Sequence, residues 1–149
     1  MISDIKKKVL FVCLGNICRS PACEGIARSL CNGKAFFDSA GTEAEIGSPP
    51  DYRSIAVCKR HGINISGHCG RQMDDSDWSK FDLIAALDNE IFYTLGKWQP
   101  NNSKAKLALF DEKNGGVLDP WYGDESGFED MYNQIEKAMP DFLKEQKVI

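Results

Sequence analysis

The sequence lacks most of the features that announce a function at first reading. Its six cysteines, at positions 13, 18, 23, 31, 58 and 69, include no C-x-x-C pair, and it has only two histidines. That spacing argues against a zinc ribbon or a thioredoxin-type redox motif, so no metal and no cofactor are expected. No G-K-[ST] occurs in the first loop and no G-x-G-x-x-G follows a strand, so both nucleotide fingerprints are missing. No apolar run approaches the roughly 18 residues of a membrane span. The run Val9–Leu14 near the N-terminus is too short for a signal peptide, which points to the cytoplasm and to free thiols there. Positive charge is scarce as well: the formal net charge is −4 and the basic residues are scattered apart from Lys6–Lys8, so no nucleic-acid partner is expected.

What is present reads as one domain over residues 1–149, long enough for a single core. Val9–Cys13 is apolar on both faces, as a central parallel strand covered by helices should be. Ala22, Cys23, Ile26, Ala27 and Leu30 then recur at helical spacing from about Arg19, with Glu24 and Arg28 off that stripe. A second strand is expected at Ala35–Asp38, and a helix opened by Pro49 and Pro50 and closed at Gly62 with His61 in its last turn. Phe81–Leu87 and Ala105–Leu109 supply two further strands around a helix starting near Asn89. Ser126-Gly-Phe-Glu129 reads as a capping box for a terminal helix, which Pro140 bends late. Strands alternating with helices predict a three-layer α/β/α domain, Rossmann-like, around a four-stranded parallel sheet. Ligands of such sheets sit at the carboxyl ends of the strands.

The stretch at that place is KKKVLFVCLGNICRSP, Lys6–Pro21. A loop running from a strand into a helix N-terminus turns backbone N–H groups toward one point, where an anion is the default guest. Cys13 lies in that field, and thiols so placed are held as thiolates, which are nucleophiles. Arg19, six residues on, offers a planar fork for two phosphoryl oxygens. Together they suit displacement at phosphorus, where catalysis is mainly positioning and electrostatic stabilisation. With six cysteines and five arginines, the bare C-x5-R spacing arises by chance about one time in five, so the strand before it and the helix after it carry the weight.

VCLGNICRSP resembles the signature loop of the low-molecular-weight protein tyrosine phosphatases. The likeness continues through DSAGT, IGSPPDYR, KRHGI, His68-x-x-Arg71-Gln72 and DPWYGDESGFE. The resemblance implies hydrolysis of protein phosphotyrosine and of small aryl phosphates through a phosphocysteine, without metal or cofactor, by a monomer. Carried over, Cys13 is the nucleophile, Arg19 the clamp, and Asp119 the general acid and base. The phosphate would lie against Cys13, Leu14, Gly15, Asn16, Ile17, Cys18, Arg19 and Ser20, where sulfate or vanadate would also bind. Asn16, Ser20, Ser39, His68 and Asp88 match positions that support the loop, and Cys13 with Cys18 matches a pair tied to reversible oxidation. On the residues alone Asp119 reads equally as a turn aspartate and Asp88 as a helix cap. Cys23, Cys31, Cys58 and Cys69 need no role beyond packing or surface thiols.

Two departures stand out against the family pattern. Trp121 and Tyr122 supply aromatic walls, but the first replaces a tyrosine, which leaves Tyr122 alone to carry any regulatory phosphorylation. Between Thr42 and Gly47 the chain reads EAEI, one residue short and without the rim aromatic, so Glu45 and Ile46 are expected to form that wall and make the rim more open or more acidic, with altered substrate preference. The rival activity on the same fold is arsenate reduction, which in its thioredoxin-coupled form needs relay cysteines, and none follows Cys69. A phosphotyrosine-binding or redox-sensing module without turnover would have lost the acid or the arginine.

Overall fold

A computed structural model describes residues 6–149. Four strands, β1 (Lys8–Cys13), β2 (Phe36–Gly41), β3 (Leu83–Ala86) and β4 (Lys106–Leu109), form one parallel sheet in the order β2-β1-β3-β4. The helices are α1 (Arg19–Cys31), α2 (Tyr52–Arg60), α3 (Asp77–Lys80), α4 (Asn89–Trp98) and α5 (Glu125–Glu145). The α/β expectation therefore holds.

Side chains alternate across a strand, and in β1 both sets are apolar. Val9, Phe11 and Cys13 face a core built with Ile26, Val57, Met131, Ile135 and Met139 from α1, α2 and α5. Leu10 and Val12 face the opposite layer, with Trp78, Ile91 and Leu95 from α3 and α4. Phe11 anchors the first layer, stacked on Phe37 at 6.1 Å and edge-on to Phe110 at 6.4 Å. Because the chain crosses from β1 to β2 on one side and later to β3 on the other, the connections part above the ends of β1 and β3. The crevice at such a switch point is where ligands of these sheets bind, and Cys13 and Asp88 stand at its two sides.

Several boundaries differ from the sequence reading. β2 runs on to Gly41 because Ser39, Ala40 and Gly41 pair with Phe11, Val12 and Cys13. The third strand is shorter than Phe81–Leu87, since Phe81 closes α3, a helix that periodicity over four residues could not reveal. Pro49 and Pro50 precede α2 without opening it; Asp51 is the cap and accepts from the Arg53 N–H. The capping box at Ser126 is also corrected. Asp124 caps α5, accepting from the Ser126 and Gly127 amides, while Glu129 is drawn to Arg60 and His61. A carboxylate already in register at the helix N-terminus satisfies the free donors and complements the dipole. α5 continues through Pro140 to Glu145.

Candidate active site

The loop from Cys13 to Arg19 is shaped from outside through its carbonyl groups. Cys13 O accepts from Thr42 N (3.0 Å), Leu14 O from Glu43 N (2.8 Å), Gly15 O from Glu45 N (3.0 Å) and Ile17 O from Asp51 N (2.8 Å). Cys18 O accepts from Ser54 Oγ at 3.0 Å. With the carbonyls so occupied, the N–H groups of Leu14 to Cys18 donate to no acceptor among the described residues, and Leu14, Gly15, Ile17 and Cys18 line a cavity beside Cys13. Buried backbone donors are rarely left unpaired. A row of them at a helix N-terminus is an anion cradle.

Gly41 makes the packing against this loop possible: a side-chain carbon there would lie 2.6 Å from Leu14 O. Asn16, wholly buried and in the left-handed conformation (φ 60°), is the internal brace. Its Nδ2 donates to Ser20 Oγ (2.8 Å) and Ser39 Oγ (3.1 Å). Its Oδ1 accepts from Arg71 N (2.9 Å) and lies 3.0 Å from His68 Nε2, which fixes the proton on that nitrogen. Ser20 Oγ is 2.9 Å from Cys13 Sγ, so the brace reaches the thiol through one hydroxyl. Ser39 Oγ donates to Glu24 Oε1 at 2.7 Å. Glu24, off the apolar stripe of α1, is nonetheless buried, and burial raises its pKa although Ser39 and Arg28 partly compensate.

Arg19 is 3% exposed, and its Nη1 donates to Asp88 Oδ2 (2.6 Å) and Val117 O (2.9 Å). Its remaining edge is free of hydrogen-bond partners among the described residues, and Nη2 lies 3.8 Å from Asp119 Oδ2. Asp88 serves both readings given to it: one oxygen holds Arg19 and the other caps α4 through Ile91 N at 2.8 Å. Burial pushes the Cys18 thiol far up, with the nearby Asp51 carboxylate adding to it, so Cys18 stays protonated beside Cys13.

Cys13, Leu14, Gly15, Ile17, Cys18, Arg19, Glu43, Glu45, Asp119 and Trp121 enclose a cavity of about 250 Å³. Of the expected pocket walls, Glu45 and Trp121 are therefore in place. Ile46 and Tyr122 are not: they are 74% and 93% exposed, because the chain turns outward at Gly47 and at Gly123. Glu43 takes the vacant position on the rim. The sequence reading quoted Arg71 and Gln72 in a family motif but gave them no role, and they brace the site from behind. Gln72 holds the rim by donating to Thr42 O (2.7 Å) and accepting from Ala44 N (2.9 Å). Arg71 is fixed between Asp38 and Asp77.

Fold and site together define an α/β protein with a thiol set in an anion cradle at the sheet's switch point. Comparison with known proteins narrows the class. The family model "Low molecular weight phosphotyrosine protein phosphatase" matches residues 8–148. The protein of that name from Saccharomyces cerevisiae is 37% identical, with 97% of this chain and 98% of the relative covered. The human one is 40% identical over the same shares. Among solved structures, Vibrio vulnificus Wzb in complex with benzylphosphonate superposes with a TM-score of 0.85 at 29% identity, covering 93% of this chain and 98% of that one. The chain belongs to the low-molecular-weight phosphotyrosine protein phosphatase family and is a hydrolase of that kind.

Proposed function

We propose that the chain hydrolyses phosphotyrosine by a two-step displacement on Cys13. The observation that supports this best is the cradle of unpaired loop amides closing around a thiol, with the free edge of Arg19 opposite. The thiolate attacks phosphorus, the P–O bond to the ring breaks, and Asp119 donates its proton to the departing phenolate. A water then gives its proton to Asp119 and attacks phosphorus, the P–S bond breaks, and phosphate leaves. Loop amides and Arg19 meet the charge on the equatorial oxygens in both steps. No redox equivalent and no metal enters this balance.

The benzylphosphonate in the Vibrio relative is an aryl phosphate mimic, which fits a cavity walled by Leu14, Ile17 and Trp121 here. Glu43 and Glu45 on the rim favour phosphotyrosines flanked by basic residues, and a groove of about 390 Å³ carries the acidic surface on past Glu90 and Trp98. Phosphate, sulfate and vanadate are expected to compete for the cradle. Cys13 and Cys18 form the oxidation-sensitive pair: a peroxide converts Cys13 to the sulfenic acid, and the Cys18 thiol displaces water from it to give the disulfide. Such thiol chemistry suits a reducing compartment, and the cytoplasm is the expected location.

Hydrolysis of phenyl phosphate tests the mechanism. Cys13→Ser is expected to abolish turnover, and Asp119→Ala to slow it by about 10²–10⁴-fold. Activity surviving Cys13→Ser would sink it.

A further inference from the structure

Asp119 lies on a segment that few hydrogen bonds tie to the rest of the protein, although its carboxylate lies 3.8 Å from Arg19 Nη2 and Pro120 beside it is buried. Between Leu118 and Gly123 the internal hydrogen bonds are Trp121 N to Asp119 Oδ1 (3.0 Å) and Gly123 N to Pro120 O (2.9 Å). Leu118 and Tyr122 are almost wholly exposed, and Trp121 is 43% exposed. Among the described residues, one side chain joins this segment to the remainder by hydrogen bonds, and it is Arg53 on α2. Its Nη1 donates to Gly123 O at 3.1 Å and its Nη2 to Trp121 O at 3.2 Å. Its guanidinium plane lies over Trp121 at 5.5 Å and Phe128 at 4.5 Å from the ring centres.

The other side of the fork points to the nucleophile loop. Nε and Nη2 clamp Asp51 at 3.0 and 3.1 Å. The Asp51 N–H in turn holds Ile17 O at 2.8 Å, and Ser54, one residue past Arg53, holds Cys18 O. Four of the five donors of one guanidinium are thus committed to two segments that flank the same site, in a planar geometry that an ammonium cannot copy.

We infer that Arg53 is a positioning residue that sets the distance and direction of Asp119 relative to Cys13, and so controls proton delivery to the leaving group. The inference rests on the role proposed above for Asp119. It acts through the Trp121 and Gly123 carbonyls and does not touch the phosphoryl group, since Arg53 lies outside the cavity lining. Positioning of this kind raises turnover through geometry, where small displacements are costly.

The test is a double-mutant cycle read on two leaving groups. Arg53→Met should lower kcat/KM, which reports the steps through departure of the phenol, about 10–100-fold for phenyl phosphate, within the span of general acid catalysis, while an aryl phosphate with a strongly acidic phenol, which leaves without a proton, loses less than about threefold in kcat/KM. In the Asp119→Ala background, Arg53→Met should change kcat/KM less than about twofold, because the group it positions is gone. Arg53→Lys, which keeps the stem and charge and folds more readily, should show the same leaving-group signature and not rescue it. An equal loss in both backgrounds, or on both leaving groups, overturns the inference while leaving the mechanism intact. If Asp119→Ala itself is silent, the acid assignment fails and the inference falls with it.

Discussion

Replacing Asn16 with alanine probes the brace that shapes the cradle. The side chain makes four hydrogen bonds from a buried position, and two of its partners, the Arg71 N–H and His68 Nε2–H, have no second acceptor in reach. A buried donor left unpaired costs about 1–3 kcal/mol; both groups are partly buried, so the lower half of that range applies to each. Alanine must also adopt the left-handed backbone at φ 60°, which costs about 1–2 kcal/mol more than it costs asparagine. The sum is about 3–6 kcal/mol, a large share of the 5–15 kcal/mol that holds a domain folded. Asn16→Gly separates the two contributions. It loses the same hydrogen bonds but tolerates the backbone, and should recover about 1 kcal/mol of the alanine deficit. Urea unfolding of the three proteins reads these differences directly, and phosphate inhibition reads the cradle. An alanine variant within about 1 kcal/mol of the wild type, or a glycine variant less stable than alanine, would refute the reasoning.

Other expectations follow from charge and exposure. Asp51 is nearly buried, which alone would raise its pKa, but hydrogen bonds and charge from Arg53 outweigh burial and hold it below its ordinary value of 3.8. Its stabilising effect is therefore complete above pH 3.8 and is lost as the pH falls through the lowered folded value. Arg53→Met should lose less stability than the wild type across that interval, as followed by urea midpoints; a larger loss in the variant contradicts the sign. In thiol labelling of the native protein, exposed Cys69 and Cys13, the proposed nucleophile, should react at neutral pH, the latter blocked by phosphate. Cys23 and Cys58 should stay silent, since both are buried and burial raises both thiols, Cys58 to about 12. Peroxide treatment should remove Cys13 from the labelled set until a thiol reductant is added, and a Cys18→Ser protein should not regain it. For the rim, Glu43→Gln with Glu45→Gln should narrow the preference for lysine or arginine beside phosphotyrosine at least severalfold in kcat/KM; an unchanged ranking of peptides counts against the acidic rim.

Local pattern made the scaffold legible. An all-apolar β1, a helical stripe from Arg19 and the alternation of strands with helices are short-range signals, and short-range signals survive in a linear sequence. The loop from Cys13 to Arg19 was legible for the same reason, since both residues and the strand and helix that flank them lie within one stretch. Boundaries were less so where a competitor a few residues away decided them, as Asp124 did over Ser126 at the start of α5.

What the sequence determined by itself is the placing of the thiol and the guanidinium: a strand that ends in Cys13 and a helix that begins with Arg19 put both at the ends of one short loop. Tertiary structure decided what surrounds it. Whether Ile46 or Glu43 walls the cavity, whether Glu24 is buried, and how Asp119 is held depend on segments that meet only because the sheet brings β1, β2 and β3 side by side. Arg53 illustrates the difference. In the chain it is one basic residue on an amphipathic helix; in the fold it spans some 70 positions to the carbonyls of Trp121 and Gly123, a contact that no local periodicity encodes.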